Sequence, residues 1–222
     1  MGFRAAIFDL DGVLVDSARL HFVAWKRIAD ELGIAFDEQD NEALKGVDRM
    51  GSLAHILALG NTSLDLAARE QLAARKNGYY LDALATMSDA DILPGATDLL
   101  ARTRAAGLAL GIASASRNAT MVLERANLGG AIDFVADAAK VARSKPAPDI
   151  FLACAAGLGI APAECVGFED AAAGVTAIKA AGMVAIGIGD GAILAEADRV
   201  FASTAAVDLD QVLRLAPSQP QV

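Results

Sequence analysis
The chain opens on four consecutive apolar residues, 5–8, and breaks at Asp9. A short apolar run bounded by polar residues suits a strand buried on both faces. Beyond Asp16 the spacing of apolar positions turns helical. One helix spans 17–32 and closes at Gly33, one or two more fit within 37–59, and another fills 64–87. Strand signals are almost absent between 16 and 89. Alternation follows: helix from Pro94-Gly95 to 106, strand 108–113, helix 118–127, short strand 134–136, helix 148–158, strand 165–168 and helix 171–181. Strands 184–188 and 200–202 end the series, and the tail 217–222 reads as disordered.

Strands separated by single helices imply right-handed crossovers and a parallel sheet. The expected fold class is therefore α/β, a doubly wound core of residues 1–15 and 89–222 interrupted by a helical cap domain of residues 16–88. The chain passes between these bodies twice, near 14–17 and 87–90. Two such crossings make natural hinges for a cap that opens to substrate and closes against water.

Composition narrows the function classes. A net charge of −9 over 222 residues disfavours nucleic acid and anionic membrane surfaces as partners. An anionic ligand must then meet a local cationic cluster. The chain is 55% hydrophobic, yet no apolar run approaches the ~18 residues of a membrane span. The stretch 184–195 is broken by Asp190, and Asp9 and Asp11 fall where the apolar core of a signal peptide would lie. A soluble, cytoplasmic protein is expected. Cys154 and Cys165 are too few for a disulfide framework and read as small buried hydrophobes.

The candidate chemistry sits at the strand ends. Asp9 and Asp11, two apart, point to the same side of an extended chain, at the end of a strand where open α/β sheets place ligands. Such a pair suits a hard cation and a phosphoryl group, one carboxylate attacking phosphorus while the other handles a proton; taken alone it also suits a polar strand end. Ser114-Ala115-Ser116-Arg117-Asn118 offers hydroxyls and backbone N–H groups where a loop enters a helix, either as an anion cradle or as an N-cap by Ser116. Lys145, with Pro146 and Pro148 fixing its loop, can neutralise a phosphate as a point charge. Glu169 and Asp170 close a strand and precede a helix, where acidic residues also satisfy the helix dipole.

DLDG, SAS, SKPAPDIF and GFEDAAAG together resemble the four motifs of the haloacid dehalogenase superfamily. Further matches are similar to a sugar-phosphate mutase branch of it: His21 and Trp25 in DSARLHFVAW, LKGVDR at 44–49, Lys76-Asn77, and SASRN at 114–118. The resemblance covers nearly the whole chain. It implies that Asp9 is the nucleophile, carried as an aspartyl phosphate, and that Mg²⁺ is held by Asp9, Asp170 and the Asp11 backbone carbonyl, with Glu169 supporting directly or through water. Lys145 would offset phosphate charge while Ser114 and the Ala115 N–H hold its oxygens. Asp11 would be the general acid and base, oriented through His21 and Lys76 with Ser17 nearby. Arg49, Ser116, Arg117 and Asn118 would grip the phosphate that is not being transferred; Lys45, Gly46, Val47 and Ser52 would complete the cap side of the substrate site. Trp25 fits either plain core or a wall of the sugar pocket, and His55 matches nothing and reads as structural.

The implied activity exchanges β-glucose 1-phosphate with glucose 6-phosphate through the 1,6-bisphosphate, performed by a monomer on small-molecule sugar phosphates. A sugar-phosphate phosphatase on the same core is the rival. A phosphonoacetaldehyde hydrolase would need Lys45 or Lys76 as a Schiff base, and a catalytically dead sensor is at odds with the intact Asp9, Asp11, Lys145 and Asp170. Three positions depart from the expected pattern: Arg117 stands for a lysine, Ser17 for a threonine, and Asp48 adds negative charge beside Arg49.

Overall fold
The computed structural model describes residues 2–215, so the disorder expected at 217–222 falls outside the described residues. In chain order the elements are β1 (Ala5–Phe8), α1 (Ala18–Glu31), α2 (Glu38–Glu42), α3 (Arg49–Leu59), α4 (Leu66–Leu84), α5 (Ala96–Ala105), β2 (Ala109–Ile112), α6 (Ala119–Arg125), β3 (Phe134–Val135), α7 (Asp149–Leu158), β4 (Cys165–Glu169), α8 (Ala172–Ala180), β5 (Val184–Ile188), β6 (Arg199–Phe201) and α9 (Leu209–Leu213). The strands form one parallel sheet in the order β3-β2-β1-β4-β5-β6. From β1 the chain builds one half of the sheet, then returns to build the other from β4. The crevice beyond the ends of β1 and β4 is where such sheets bind ligands.

β1 shows why its apolar run is unbroken. Its neighbours are β2 and β4, and helices cover both faces. Ala6 and Phe8 join one hydrophobic cluster with Leu99 and Leu100 of α5, Val122 of α6 and Val212 of α9. Ala5 and Ile7 face the other way, into a cluster with Phe151 and Cys154 of α7 and Ile178 of α8. The period of two thus divides one strand between two helical layers. Cys154 and Cys165 are free and buried, and burial pushes both thiols up, that of Cys165 to about 12.

Helices α1–α4 lie between β1 and β2 in sequence and hold a third cluster built from Trp25, Ile28, Leu53, Ile56 and Leu72. Asp37, Asp48 and Asp65 cap α2, α3 and α4, each accepting from backbone N–H groups of the first turn. Leu20, Tyr80 and Leu84 leave that cluster and pack into the sheet's first layer. The two chain crossings run side by side: Asp16 N donates to Asp91 O at 2.8 Å and Leu93 N to Leu14 O at 2.9 Å.

Most differences from the sequence-based expectation are local. The helix expected over 118–127 ends at Arg125, and Asn127 beyond it turns left-handed (φ 53°). β4 runs one residue further than expected because Glu169 still pairs with Gly187 of β5. The last strand starts at Arg199, an exposed edge position with no apolar signature. α9, five residues long, was not expected at all. No described helix is long and apolar enough to cross a membrane.

Candidate active site
The site grows out of the ends of β1, β2 and β4. Asp9 follows β1 directly, and its N–H still donates to Phe168 O at 2.9 Å, so the sheet fixes its backbone. Gly12 then turns the chain with φ at 86°, and a Cβ there would collide with the Asp170 carboxylate. Glycine is therefore required for the two acidic segments to approach.

Lys145 enters from the loop before α7 and is fully buried at its side chain. Its Nζ donates to Asp9 Oδ1 at 2.5 Å and to Glu169 Oε2 at 2.7 Å. The other Glu169 oxygen accepts from the backbone N–H groups of Asp170 and Ala171, both at 3.2 Å. Gly174, in the first turn of α8, leaves no room for a Cβ against that carboxylate. Burial works against the Lys145 charge, yet Asp9 and Glu169 hold its pKa above the ordinary value. Burial raises the carboxyl of Asp9, with Lys145 opposing. Glu169 lies well above the usual range through burial and the proximity of Asp9, and the same two causes bring Asp170 to about 7. Oxygens of Asp9, Glu169 and Asp170 all lie within 4.8 Å of one another. Crowded, buried carboxylates with raised pKa values suit a divalent cation, whose charge relieves their mutual repulsion.

Asp11 points elsewhere. Its Oδ1 accepts from the Ser17 hydroxyl and its Oδ2 from Ser114 Oγ at 3.2 Å, while Ser114 Oγ accepts from Ser116 N at 3.0 Å. Burial raises the Asp11 carboxyl against the pull of those two hydroxyls. His21 Nε2 stands 3.7 Å from Asp11 Oδ1, and its Nδ1 lies 2.8 Å from Lys76 Nζ. Burial and the Lys76 charge keep the imidazole neutral, with its pKa well below 6.5. With Lys76 donating to Nδ1, the ring proton sits on Nε2, facing Asp11. The imidazole stacks on Tyr80 at 4.1 Å, and Lys76 Nζ lies 4.7 Å from the Trp25 ring centroid. Burial, reinforced by Arg49, lowers the Lys76 pKa to about 7.

A second cationic group lies beside Asn77 and Asn118. Arg49 Nη2 donates to Asn77 Oδ1 at 2.6 Å, and Asn118 Nδ2 donates to the same oxygen at 3.0 Å. Burial and the nearby Arg117 guanidinium lower the Arg49 pKa. Two guanidiniums beside two amides are chemically suited to an anion. Asp48 does not spoil it: Oδ1 accepts from Met50 N at 2.8 Å and Gly51 N at 3.1 Å, and Oδ2 from Ser144 Oγ at 2.6 Å. The charge that looked misplaced in sequence is turned into a helix cap and a contact with the core.

A cavity of about 600 Å³ joins these groups, within the range of small-molecule sites. Of the sequence-predicted residues, Ser17, Ser114, Asn118 and Glu169 stand behind its wall, each bonded to a group named above; the others line it. Trp25 lines the cavity while packed in the third cluster. Lys45 Nζ sits 2.9 Å from Glu42 and 4.0 Å from Asp170. Ser52 turns its hydroxyl to Val47 O at 3.5 Å and so braces the loop. Sequence reasoning gave no role to Asn77, Ser144 or Tyr80. Asn77 and Ser144 lie inside motifs quoted for the resemblance, Lys76-Asn77 and SKPAPDIF, and Tyr80 lies one helical turn past Lys76, a spacing that shares a face.

A family model described as haloacid dehalogenase-like hydrolase matches residues 3–182. The β-phosphoglucomutase of Bacillus subtilis (strain 168) is 42% identical over 209 residues, covering 93% of this chain and 92% of that protein. A fructose-1-phosphate phosphatase of Escherichia coli (strain K12) is 32% identical over 188 residues, 84% of this chain and 96% of that protein. The crystal structure of β-phosphoglucomutase from Clostridium difficile superposes with a TM-score of 0.92 at 40% identity and covers 95% of each chain. With this sheet order, these strand-end residues and a match over most of its length, the chain belongs to the haloacid dehalogenase-like hydrolase family.

Proposed function
We propose that the protein is a β-phosphoglucomutase, interconverting β-D-glucose 1-phosphate and glucose 6-phosphate by way of phosphorylated Asp9 and β-glucose 1,6-bisphosphate. The observation that carries this reading is the pair of charge centres on one cavity: Lys145 with Asp9, and Arg49 with Arg117, the latter pair backed by Asn77 and Asn118. A phosphatase needs one phosphate site, whereas a bisphosphate intermediate needs two.

On this reading the phosphoryl group of phospho-Asp9 passes to O6 of glucose 1-phosphate as Asp11 removes the hydroxyl proton. The bisphosphate reorients, an Asp9 oxygen bonds to the C1 phosphorus, and Asp11 returns the proton to the departing O1. Lys145 balances the charge of the approaching phosphate, and Ser114 with the Ala115 N–H receives its oxygens. His21 and Lys76 hold Asp11 from the helical insertion, and Arg49 with Ser116, Arg117 and Asn118 retains the phosphate at rest. Mg²⁺ would be held by Asp9, Asp170 and the Asp11 carbonyl, with Glu169 in support, and would supply further neutralisation of the transferring group. Residues 16–88 serve as the cap domain over a core of 1–15 and 89–222. The enzyme works as a cytoplasmic monomer on small sugar phosphates, and its −9 charge supports the absence of nucleic-acid partners.

The test follows purified protein with Mg²⁺, β-glucose 1-phosphate and a trace of the 1,6-bisphosphate, recording glucose 6-phosphate and free phosphate together. Glucose 6-phosphate without matching phosphate release is expected. Phosphate with free glucose would identify a phosphatase instead. Asp9→Asn should abolish turnover, and unchanged activity would remove the nucleophile assignment.

A further inference from the structure
We infer that the Asp48 carboxylate and the Ser144 hydroxyl form a closure latch between the helical insertion and the core, which sets how much of the protein is closed before substrate arrives. The inference deepens the mutase reading and rests on it for its kinetic consequence alone. The two residues are 96 positions apart and meet at 2.6 Å. Each adjoins a residue of the site: Arg49 follows Asp48, and Lys145 follows Ser144. A single hydrogen bond thus ties the segment carrying the distal cation to the segment carrying the Asp9 partner.

The latch is pre-oriented. Asp48 Oδ1 is fixed by the Met50 and Gly51 N–H groups at the start of α3, which leaves Oδ2 aimed at the core with little freedom to lose. Burial opposes its charge, but the Ser144 hydroxyl and the Gly51 and Met50 N–H groups hold the carboxyl below its ordinary pKa. The bond is therefore charge-assisted at neutral pH. Three other polar contacts between the two bodies use groups that substrate or metal would claim, Asn77 with Asn118, Lys45 with Asp170, and His21 with Asp11, while Asp16 and Arg19 meet Asp91 beside the chain crossings. Asp48 and Ser144 also line the cavity, but neither has a part in the proposed chemistry. Being one bond, the latch still breaks when the bisphosphate must turn.

If only the closed form binds productively, the apparent affinity scales with the closed fraction. Ser144→Ala removes the latch and keeps the α3 cap. Asp48→Ser keeps a capping hydroxyl and loses the reach to Ser144. Each variant should raise KM for β-glucose 1-phosphate roughly 3- to 10-fold, with kcat within about twofold of wild type because saturating substrate recloses the site. The double variant should match the singles instead of multiplying them. Trp25 is the protein's single tryptophan and lines the cavity. Without substrate, acrylamide should quench it more strongly in both variants, and Ser144→Thr should restore the wild-type value. Simple destabilisation would lower kcat and would not give a non-additive KM. Additive KM effects, or equal Trp25 quenching in wild type and variants, would overturn the latch. A wild type without mutase turnover removes the mutase reading, and the Trp25 comparison then decides the latch by itself.

Discussion
Replacing Lys145 by methionine keeps the aliphatic stem and deletes the cation that touches both Asp9 and Glu169. The side chains of Lys145 and Glu169 are 0% exposed and that of Asp9 is 7% exposed, so solvent screens little of the interaction. Removing one partner of such a pair costs about 3–5 kcal/mol, since it strands buried charge. At ~2–4 °C per kcal/mol for a chain of this size, the melting temperature should fall by roughly 6–20 °C. The sign with pH follows from the carboxylates. Both already lie above their ordinary values of 3.8 and 4.5, and loss of Lys145 removes the positive charge that lowers each. Above those ordinary values the folded state then holds more protons than the unfolded one, so stability falls as pH rises. The deficit of Lys145→Met should accordingly be larger at pH 7 than at pH 5, by up to ~1.4 kcal/mol per unit for each proton involved. Urea and thermal denaturation in EDTA at the two pH values measure it. A deficit below about 1 kcal/mol, or one equal at both pH values, would refute the buried-pair argument.

Magnesium should raise the wild-type melting temperature, by the equivalent of ~2.7 kcal/mol at a hundredfold excess over Kd; because Asp170 titrates near 7, the gain should shrink as pH falls from 8 to 6, and a pH-independent shift in calorimetry would count against Asp170 as a ligand. Lys76 titrates near 7 in the folded protein against 10.5 ordinarily, so between those values the unfolded chain binds the extra proton and stability rises with pH. Lys76→Met should flatten that slope in urea titrations at pH 7, 8.5 and 10; an unchanged slope would mean that the ammonium stays charged. Arg49→Ala should lower mutase kcat/KM at least tenfold, the scale of a lost charge-assisted bond, while phosphorylation of Asp9 by a small donor such as acetyl phosphate stays within about threefold; equal losses in both would remove Arg49 from the distal site.

The convergence of Asp9, Ser114 and Glu169 was legible because a parallel sheet converts sequence position into place. Asp9, Ser114 and Glu169 each follow or end a strand, and adjacent parallel strands end together, so three short motifs suffice to bring them to one edge. The partnership of Glu169 with Lys145 was less visible: an acidic residue beside Asp170 reads as a cation ligand, and only the loop before α7 reveals the ammonium. The insertion was legible in its motifs and not in its contacts. Asn77 accepts from Arg49, 28 positions away, and from Asn118, 41 positions away. Those meetings depend on how α4 lies against its neighbours, which helical periodicity leaves open. Asp48 illustrates the same limit, since its charge is counted from sequence and its direction only from structure. α9 escaped because five residues barely complete a turn and a half, too short for a periodic signal.

Asp11 stands where the two bodies meet, and its bonds bear on how a sugar could be preferred to water. Both of its oxygens are occupied, by Ser17 at the start of the insertion and by Ser114 at the end of β2. To take or give a proton it must exchange one of these hydroxyls for that of an acceptor. A water molecule brings only its own hydrogen bond to that exchange, which is close to even. A sugar phosphate, if anchored by Arg49 and Asn118 as proposed, would bring further binding energy from a remote group, and the imidazole of His21 lies 3.7 Å from the carboxylate that would be freed. Binding energy from the non-reacting phosphate can then be spent on readying the base. A phosphatase is 32% identical over 84% of this chain, so if Asp11 is the base, the acceptor would be chosen by what the insertion adds to the exchange there.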